Sequence, residues 1–584
     1  MSEWKEERFH TFDGLSLFYR YKKPHNKTKN YILFLHRGHE HSARIMPFAD
    51  KLNEDDYWCF AFDLRGHGRS DGTTAWAKNF NVWVQDLNSF AGHIQANFGL
   101  QTQNSILIAN SVGSVTAISW ILNYAPNLKG CILGAPAFSI KLYIPFALSF
   151  LKLARLFSDK LFVTSYVRSK LLTRNESEAK AYDTDPLITK KIGTNVLVTL
   201  FDTTKNCFGR LKDFETPILL LTAEKDFIVN NNYHKTFIDG ISSSDKTQVF
   251  LPEFRHAIFH EIEQEKVLSP CRQFIEKQFQ IIRTNLPAII PEARPHTVIE
   301  HQKLIAKSSL PKEVYYTGYR ALLEKVGRYS EGVATGLKYG FDSGVSLDYV
   351  YRNQSTGSNA LGKIIDKSYL NSVGWKGIRS RKKHMKKALV SVLTQLHESG
   401  QTPVILDIAS GAGRYLFETQ AEMDFPMQLI LNDNDENSIN LAKKNAEEFN
   451  AKNVSFSQYD AFNIQADLSK STNKTDNKQP NVIIVSGLFE LYADNTKVHH
   501  AISQLFSLMS ENGYLLYTGQ PWHPQMELIG RLLNNRHGKR WVMRRRTQRE
   551  MDALIESTGF TKVDTATDEL GIFTVSCAQK QEKI

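Results

Sequence analysis

Short apolar runs of strand length recur along the chain, and helical patterns separate them. In the first half the runs lie at 31–35, 57–62, 105–109, 130–133 and 217–222. Strands that are apolar throughout and separated by helices are typical of a parallel sheet buried on both faces. The second half repeats the pattern at 403–408, 428–432, 454–458, 481–485 and 513–518. The predicted fold class is therefore α/β, with two such domains in series.

A proline-rich stretch marks the predicted boundary between the domains. Pro287, Pro291 and Pro295 fall within nine residues and cannot continue the helix that precedes them. We expect the first domain over 1–285, a linker over 286–312 and the second domain over 313–584. A polar stretch from Ser469 to Pro480 predicts an exposed loop inside the second domain.

Composition excludes several classes of protein. The chain has 584 residues, 42% hydrophobic and 23% charged, which is ordinary globular usage. No apolar run reaches the about 18–20 residues that span a bilayer. The five cysteines are scattered singly, which argues against a metal site or a disulfide framework. The N-terminus does not resemble a signal peptide, so a cytoplasmic location is expected.

The net charge of +11 is concentrated in two basic runs, at 376–387 and 540–549. Localised basic charge points to an anionic partner such as lipid headgroups, nucleic acid or an acidic substrate. A solvated face of the protein is an equally good interpretation.

A serine stands on the predicted turn between the strand at 105–109 and the helix that follows. The string is Ala109-Asn110-Ser111-Val112-Gly113, with small residues two places either side of the serine. This is the pattern of a nucleophile elbow, in which a strained turn projects the serine oxygen above the sheet. Ala109 stands where the usual pattern has glycine, and its small size suits the same turn.

An acid and a histidine follow later strands in the order that such a serine needs. Asp226 follows the run at 217–222, and His256 follows a strand that ends near Leu251. A serine hydroxyl is a weak nucleophile until a base takes its proton. We predict Ser111 as nucleophile, His256 as base, and Asp226 as the group that orients His256.

Three further strings carry a family resemblance over about residues 8–280. They are His36-Arg37-Gly38-His39-Glu40-His41-Ser42, Asp63-Leu64-Arg65-Gly66-His67-Gly68-Arg69-Ser70-Asp71-Gly72, and Tyr182-Asp183-Thr184-Asp185-Pro186-Leu187. They resemble the monoacylglycerol lipase and lysophospholipase branch of the α/β hydrolases. The resemblance implies an oxyanion hole formed by the backbone N–H groups of Gly38 and Val112, and a cap over about 136–213.

The first string departs from the family pattern, because Arg37 and His39 stand where the family has glycine. A cation there is expected either to bind an anionic acyl or phosphate group or to mark an altered activity. Within the cap, Ile144 to Phe157 predicts an apolar helix with Lys152 and Arg155. It is expected to line an acyl tunnel, to touch a membrane surface, or to pack on its own core.

In the second domain, a glycine turn follows the strand at 403–408. Asp407, Gly411 and Gly413 form the pattern D-x-x-x-G-x-G, which lets a ligand approach the backbone and a helix N-terminus. Asp433 ends the next strand, where a carboxylate can take both ribose hydroxyls, and Asp460 ends the third, where it suits an adenine amino group. The series resembles class I S-adenosylmethionine-dependent methyltransferases over about residues 400–580.

The resemblance implies S-adenosyl-L-methionine as cofactor and a Rossmann-like cofactor fold over 401–584. The preceding residues, about 313–400, are expected to form a helical lid over an acceptor pocket or to pack as a plain helical extension. They also resemble methyltransferase-like proteins fused behind such hydrolases. Candidate acceptor-site residues are Glu490, His523 as a general base, and Arg544, Arg545 and Arg546 as holders of an anionic acceptor.

The whole chain therefore resembles a bifunctional enzyme: an α/β-hydrolase domain followed by a class I methyltransferase domain. We expect a serine ester hydrolase, lysophospholipase-like or monoacylglycerol lipase-like, joined to a methyltransferase for a lipid-related or small-molecule substrate. Peripheral contact with an anionic membrane at its inner face is a further expectation, without a membrane-spanning segment. The alternatives are a non-lipid esterase or thioesterase, a catalytically silent hydrolase-fold binding domain, and an RNA methyltransferase. The absence of a recognisable RNA-binding module disfavours the last of these.

Overall fold

The computed structural model describes residues 3–53, 56–155, 157–158, 160–281, 290–464 and 479–581. The chain divides into two compact units, Met1–Thr284 and Asn285–Ile584. Among the described residues, no helix is both long and apolar enough to cross a membrane. Most of the predicted polar loop Ser469–Pro480 lies outside the described residues.

The first unit alternates strands with helices, as its apolar runs predict. In chain order its elements are β1 (Lys5–His10), β2 (Ser16–Lys22), β3 (Tyr31–Leu35), α1 (Met46–Asn53), β4 (Trp58–Phe62), α2 (Asn81–Phe98), β5 (Ser105–Asn110), α3 (Val112–Tyr124), β6 (Gly130–Gly134), α4 (Ala147–Ala154), β7 (Phe162–Thr164), α5 (Ser169–Leu172), α6 (Glu176–Thr184), β8 (Lys191–Gly193), α7 (Thr194–Phe208), β9 (Ile218–Ala223), α8 (Asn232–Gly240), β10 (Lys246–Leu251) and α9 (Glu265–Gln280).

Eight of these strands form one sheet in the order β1-β2-β4-β3-β5-β6-β9-β10. Strand β2 is antiparallel to β1 and β4, and the other neighbours run parallel. Alternate residues of β3 enter different cores: Leu33 and Leu35 pack in the cluster that includes α2 and α3, whereas Ile32 and Phe34 pack in the cluster that includes α1 and α9. Burial on both faces explains the unbroken apolar runs.

The segment between β6 and β9 supplies α4 to α7 and the two-stranded sheet β7-β8. It covers the range where the family resemblance implies a cap. The strands before and after this segment, β6 and β9, are hydrogen-bonded neighbours in the sheet. The segment is therefore an insertion between two adjacent parallel strands.

The second unit begins with helices and continues as a second α/β sheet. Its elements are α10 (Pro295–Ile305), α11 (Leu310–Gly327), α12 (Glu331–Tyr339), α13 (Gly344–Arg352), α14 (Ala360–Leu370), α15 (Val373–Glu398), β11 (Val404–Asp407), α16 (Arg414–Glu422), β12 (Gln428–Asn432), α17 (Glu436–Glu448), β13 (Val454–Ser457), β14 (Val482–Val485), α18 (Asn495–Leu508), β15 (Tyr514–Gly519), α19 (Met526–Leu532), α20 (Gln548–Glu556), β16 (Phe560–Thr567) and β17 (Thr574–Lys580).

The sheet order is β13-β12-β11-β14-β15-β17-β16, with β13 to β15 parallel and β17 and β16 antiparallel. Strand β11 therefore separates β12 and β13 on one side from β14 and β15 on the other. The predicted linker contains a helix, α10, because Pro295 stands at a helix start, where its missing N–H costs nothing.

Candidate active sites

The turn after β5 has a backbone conformation that residues other than glycine rarely adopt. Ser111 lies between the end of β5 and the start of α3, with φ 55° and ψ −117°. Its N–H donates to the carbonyl of Gly134 at 2.9 Å, and its carbonyl accepts from the N–H of Ala137 at 3.1 Å. A Cβ on Gly113 would lie 2.7 Å from the carbonyl oxygen of His36. A side chain at position 113 would therefore clash with the backbone at the end of β3, so glycine is required there.

The structure brings Ser111, His256 and Asp226 into one chain of hydrogen bonds. The Nε2 of His256 lies 2.8 Å from the Oγ of Ser111, and its Nδ1 lies 2.8 Å from an Oδ2 of Asp226. All three side chains are buried. They come from the ends of β5, β9 and β10, which reach the same edge of the sheet because these strands are parallel.

Asp226 is fixed by more than the histidine. Its Oδ1 accepts the backbone N–H groups of Ile228 at 2.7 Å and Val229 at 2.9 Å. Burial opposes ionisation of this carboxyl, but the charge of His256 and these hydrogen bonds outweigh it and lower the pKa of Asp226. Asp226 is thus a fixed carboxylate that can hold one tautomer of His256.

The residues predicted to form an oxyanion hole lie next to the serine. A Cβ on Gly38 would lie 3.5 Å from the Cγ2 of Val112, which directly follows Ser111. His39 then turns the loop sharply, with φ 71°. Burial, together with the charge of Arg37, lowers the pKa of His39 to about 4. This histidine is therefore neutral at pH 7.

Arg37 is an internal ion-pair partner, which corrects the expectation that it binds an anionic substrate group. Its Nε donates to Oε2 of Glu40 at 2.7 Å and its Nη2 donates to Oε1 at 2.6 Å, with both side chains buried. The guanidinium carbon also lies 5.3 Å from the ring of Tyr182 in the cap. Burial disfavours the charged Glu40, but Arg37 dominates and holds the pKa of Glu40 far below its usual range. The guanidinium already binds a carboxylate of its own chain.

The apolar helix of the cap is only partly covered, so the expectation that it packs on its own core holds for one side of it: Ala147, Leu148, Leu151 and Ala154 are half-buried. No residue of α4 is buried. Phe146 is 86% exposed, Phe150 70% and Phe157 84%, and the surface continues through Tyr143, Ile144 and Leu153. We call these six residues the cap surface. An exposed apolar patch of this kind marks a surface that contacts something apolar.

In the second unit, the glycine turn has the backbone that its sequence predicts. Gly411 has φ +55° and Gly413 has φ +66°, and a Cβ on Gly413 would lie 2.4 Å from Leu431. Both positions therefore require glycine. Asp407 at the end of β11 is fully buried and accepts a hydrogen bond from the hydroxyl of Tyr415. Burial raises the pKa of Asp407 to about 7.

The two further acids lie at the ends of neighbouring strands. Asp433, after β12, is buried; its Oδ2 accepts the N–H of Gly411 at 2.9 Å, and Nη1 of Arg536 lies 3.6 Å from its Oδ1. Asp460, after β13, is exposed and accepts the N–H of Phe462 at 2.9 Å. A carboxylate oxygen has room for a second hydrogen bond. The turn and these acceptors are the groups that can hold a nucleoside.

The acceptor candidates Glu490 and His523 are both buried at the ends of β14 and β15. Burial raises the pKa of Glu490 and lowers that of His523 to about 4. The Nδ1 of His523 accepts the N–H of Gln525 at 3.0 Å, so Nε2 carries the hydrogen in the neutral ring. This corrects the prediction that His523 is a general base. Its Nδ1 is already an acceptor for Gln525, and its Nε2 carries a hydrogen and cannot take a proton from a substrate.

The three arginines at 544–546 are structural, which corrects the prediction that they hold an anionic acceptor. All three are buried. Arg544 pairs with Glu550 at 2.5 Å, Arg545 pairs with Glu300 at 2.6 Å, and Arg546 donates to the carbonyls of Phe489 and Tyr492, each at 2.7 Å. In the other basic run, Lys382 and Lys386 pair with Glu418. Arg381 of the same run is buried. The sequence did not single it out, because a run of basic residues does not show which side chain is buried.

Comparison with known proteins agrees with this two-part organisation. A family model described as "Putative methyltransferase" matches residues 271–580, and one described as "Serine aminopeptidase, S33" matches residues 26–263. The chain is 35% identical over 585 residues to a protein of Escherichia coli (strain K12) called "Uncharacterized protein YnbC", covering 99% of this chain and 98% of that protein. It is 29% identical over 267 residues to the "Monoglyceride lipase" of Rattus norvegicus, covering 43% of this chain and 86% of the lipase.

An α/β-hydrolase domain followed by a methyltransferase-family domain is the class of protein that these sheets and matches define. The predicted fold class is confirmed, as is the resemblance to a hydrolase fused to a methyltransferase. The chain belongs to the family described as "Putative methyltransferase", whose model matches more than half of it.

Proposed function

We propose that the chain is a bifunctional enzyme, with a serine ester hydrolase in the first unit and an S-adenosylmethionine-dependent methyltransferase in the second. One observation carries the hydrolase part. The hydroxyl of Ser111, the ring of His256 and the carboxylate of Asp226 form a continuous relay with two hydrogen bonds of 2.8 Å. This is the geometry that activates a serine oxygen.

In the proposed reaction, Nε2 of His256 takes the proton of Ser111 while Oγ attacks the ester carbonyl. The N–H groups of Gly38 and Val112 stabilise the negative oxygen of the tetrahedral intermediate. His256 then gives the proton to the leaving alkoxide, which departs as an alcohol and leaves an acyl-enzyme. Nε2 of His256 then takes a proton from a water molecule, whose oxygen attacks the acyl carbonyl. The bond to Oγ breaks, the carboxylic acid leaves, and His256 returns the proton to Ser111.

Two observations favour a lipid ester as substrate. The cap surface exposes six large apolar side chains on the segment between β6 and β9, and Tyr182 of the same segment contacts Arg37 in the loop beside the serine. The first unit also resembles proteins named for monoglyceride hydrolysis. We infer that the substrate is a monoacylglycerol or a lysophospholipid, and that the cap surface contacts the lipid aggregate that contains it.

Covalent labelling tests the hydrolase. A fluorescent fluorophosphonate is expected to label the full-length protein and Ser139→Ala but not Ser111→Ala, because only an activated serine reacts. Hydrolysis of monooleoylglycerol, lysophosphatidylcholine, oleoyl-coenzyme A and p-nitrophenyl butyrate then ranks lipid esters against a thioester and a non-lipid ester. Absence of labelling in a protein with an intact melting transition would refute the relay as a catalytic device.

For the second unit, the glycine turn and the acids after β12 and β13 support a nucleoside cofactor. We propose that the turn at Gly411 and Gly413 would hold the adenosyl group, with Asp433 as acceptor for the ribose hydroxyls and Asp460 as acceptor for the adenine amino group. When bound, S-adenosylmethionine supplies a methyl group on a cationic sulfur. This chain's own contribution is to bind and orient: the turn allows close approach, and Asp433 is held by the N–H of Gly411.

Calorimetric titration with S-adenosylhomocysteine tests this assignment. The wild-type chain and the exposed control Asp424→Asn are expected to bind, whereas Asp433→Asn is expected to lose about tenfold or more in affinity, since hydrogen bonds to charged groups are the strong ones. Failure of the folded wild-type chain to bind would refute the cofactor assignment.

A further inference from the structure

One face of α15 closes on the ends of two strands in the second unit. Gly374, Gly377 and Arg381 lie on this face at helical spacing. A Cβ on Gly374 would lie 3.0 Å from Nε2 of His523, and one on Gly377 would lie 2.9 Å from the ring of Phe573. The two glycines therefore let the helix approach closely enough to bring the guanidinium of Arg381 to the sheet edge.

The guanidinium of Arg381 is buried at the end of β14, and its hydrogen bonding there is incomplete. Its Nη1 and Nη2 lie 3.2 and 3.4 Å from the position that a Cβ of Gly487 would occupy. The side chain is 4% exposed, and its Nε has no hydrogen-bond partner among the residues that the structure describes. The nearest ion-pair partner is Oε1 of Glu490, 3.8 Å from Nη1, which is beyond hydrogen-bond distance.

Such an arrangement is costly unless something completes it. Burying a cation is unfavourable when its N–H groups stay unsatisfied, and a guanidinium carries five of them. The ring of Phe573, 5.2 Å from the guanidinium carbon, stabilises the charge but takes no N–H in the plane of the fork. An acceptor with two oxygens in one plane would complete the hydrogen bonding, because a guanidinium is shaped for such a group.

The position of Arg381 in the sheet also points to a ligand. Strand β14 adjoins β11 on the side opposite β12 and β13, so the strand order reverses here. In open α/β sheets, ligands bind outside the carboxyl ends of the strands at this reversal. The glycine turn, Asp433 and Asp460 line one half of that edge, and Arg381 with Gly487 lies on the other half.

We propose that Arg381 binds the oxyanion of a ligand, a carboxylate or a phosphate, in the crevice at the end of β14. This proposal rests on the methyltransferase function proposed for the second unit. Two ligands can bring such a group: the amino-acid part of the cofactor, or an anionic methyl acceptor. Glu490 beside the guanidinium offers an acceptor for a neighbouring ammonium, so a zwitterionic amino-acid end would match both charges.

The experiment compares ligands that share a nucleoside but differ in the anion. Full-length wild type, Arg381→Gln, Arg381→Lys and the exposed control Lys383→Gln are titrated calorimetrically with S-adenosylhomocysteine and with 5′-methylthioadenosine, which lacks the amino-acid part. Benzoate and inorganic phosphate are titrated into each protein with and without S-adenosylhomocysteine. Thermal melting of every variant establishes that it is folded. Arg381→Lys keeps the positive charge but removes the paired N–H donors of the guanidinium.

Two results would support the proposal. If Arg381→Gln weakens S-adenosylhomocysteine at least about tenfold and leaves 5′-methylthioadenosine unchanged, the oxyanion is the cofactor's carboxylate. If S-adenosylhomocysteine is unaffected but benzoate or phosphate binds wild type and Lys383→Gln and not Arg381→Gln, the oxyanion belongs to the acceptor. Equal binding of all four ligands by wild type and both Arg381 variants would overturn the proposal. A folded wild type that binds neither nucleoside would refute the cofactor assignment instead, and the benzoate and phosphate titrations would still decide the role of Arg381.

Discussion

Replacing Asp226 by asparagine should disable the serine relay with almost no change of shape. Two backbone N–H groups, of Ile228 and Val229, donate to Oδ1 at 2.7 and 2.9 Å, so the amide oxygen of the asparagine is expected to take that place. The amide nitrogen then faces Nδ1 of His256, where the carboxylate oxygen stood at 2.8 Å. A donor cannot accept from Nδ1–H, so the ring is expected to adopt the tautomer with hydrogen on Nε2.

The wrong tautomer points a hydrogen at Ser111 and removes the base. Loss of this orienting carboxylate in a relay of the same geometry costs about 10⁴-fold in kcat. That factor corresponds to about 5 kcal/mol of transition-state stabilisation. We therefore expect Asp226→Asn to hydrolyse p-nitrophenyl butyrate about 10⁴-fold more slowly than wild type, with a melting temperature close to that of wild type.

The assay is kcat per mole of folded protein, with protein counted by absorbance and the folded fraction taken from thermal melting. Fluorophosphonate cannot count these sites, because it reacts slowly with a serine that has lost its base. Asp239→Asn, which removes an exposed carboxylate of α8 that pairs with Lys235 on the surface, is the matched control and should retain full activity. A folded Asp226→Asn that keeps its rate within tenfold of wild type would refute the reasoning, because His256 would then be oriented by something else.

Three further predictions address the other corrected or proposed features. Arg37→Met should lower the free energy of unfolding by about 3–5 kcal/mol in urea titrations, because it leaves Glu40 charged and buried. Adding Glu40→Gln to this variant should recover part of the lost stability. An unchanged free energy of unfolding in Arg37→Met would contradict the internal ion pair. The pKa of Asp407 is raised to about 7 in the folded protein, so the folded state holds a proton that the unfolded chain releases near pH 4. The stability of Asp407→Asn relative to wild type should therefore increase from about pH 4 to about pH 7 and stay constant above that, measured by thermal melting across pH; a flat difference would contradict the burial argument. Phe146→Glu with Phe150→Glu should weaken sedimentation with phosphatidylglycerol vesicles at least about tenfold and leave fluorophosphonate labelling unchanged; unchanged sedimentation would exclude the cap surface as the contact.

Local sequence patterns predicted what depends on local geometry. The serine turn was predictable because its strain constrains residues two places away, and the steric reason is the 2.7 Å approach between a Cβ on Gly113 and the carbonyl of His36. The strands were predictable because two-sided burial leaves apolar runs. The relay of Ser111, His256 and Asp226 as a catalytic device stays a prediction, although the structure places the three side chains in hydrogen-bond contact.

The basic runs led to a wrong prediction where the acidic partner of an arginine is distant in the sequence. Arg545 pairs with Glu300, which is 245 positions away, so nothing near the basic run indicates that it is neutralised. Arg37 is the instructive contrast, because Glu40 stands three residues on and the pair was visible in the sequence. A basic residue within a basic run does not indicate whether its side chain is paired or free to bind a ligand. A basic residue with an acid three positions later in a buried loop favours an internal ion pair.

Both units use the carboxyl edge of a parallel sheet, but they use backbone strain in opposite ways. At Ser111 a positive φ is imposed on a residue that has a side chain, and that side chain is the proposed reactive group. At Gly411 and Gly413 positive φ values occur where a side chain would meet the chain's own atoms: a Cβ on Gly413 would lie 2.4 Å from Leu431, and one on Gly411 would lie 3.2 Å from the Cα of Gly344. The first arrangement suits a covalent nucleophile, because it holds one oxygen at a fixed place above the sheet. The second suits a tight backbone turn, because glycine removes the side chain that would otherwise clash with neighbouring atoms. The same strand-end position thus carries the proposed covalent chemistry in one unit and the proposed cofactor binding in the other. The first needs the side chain of its strained residue, and the second needs glycine.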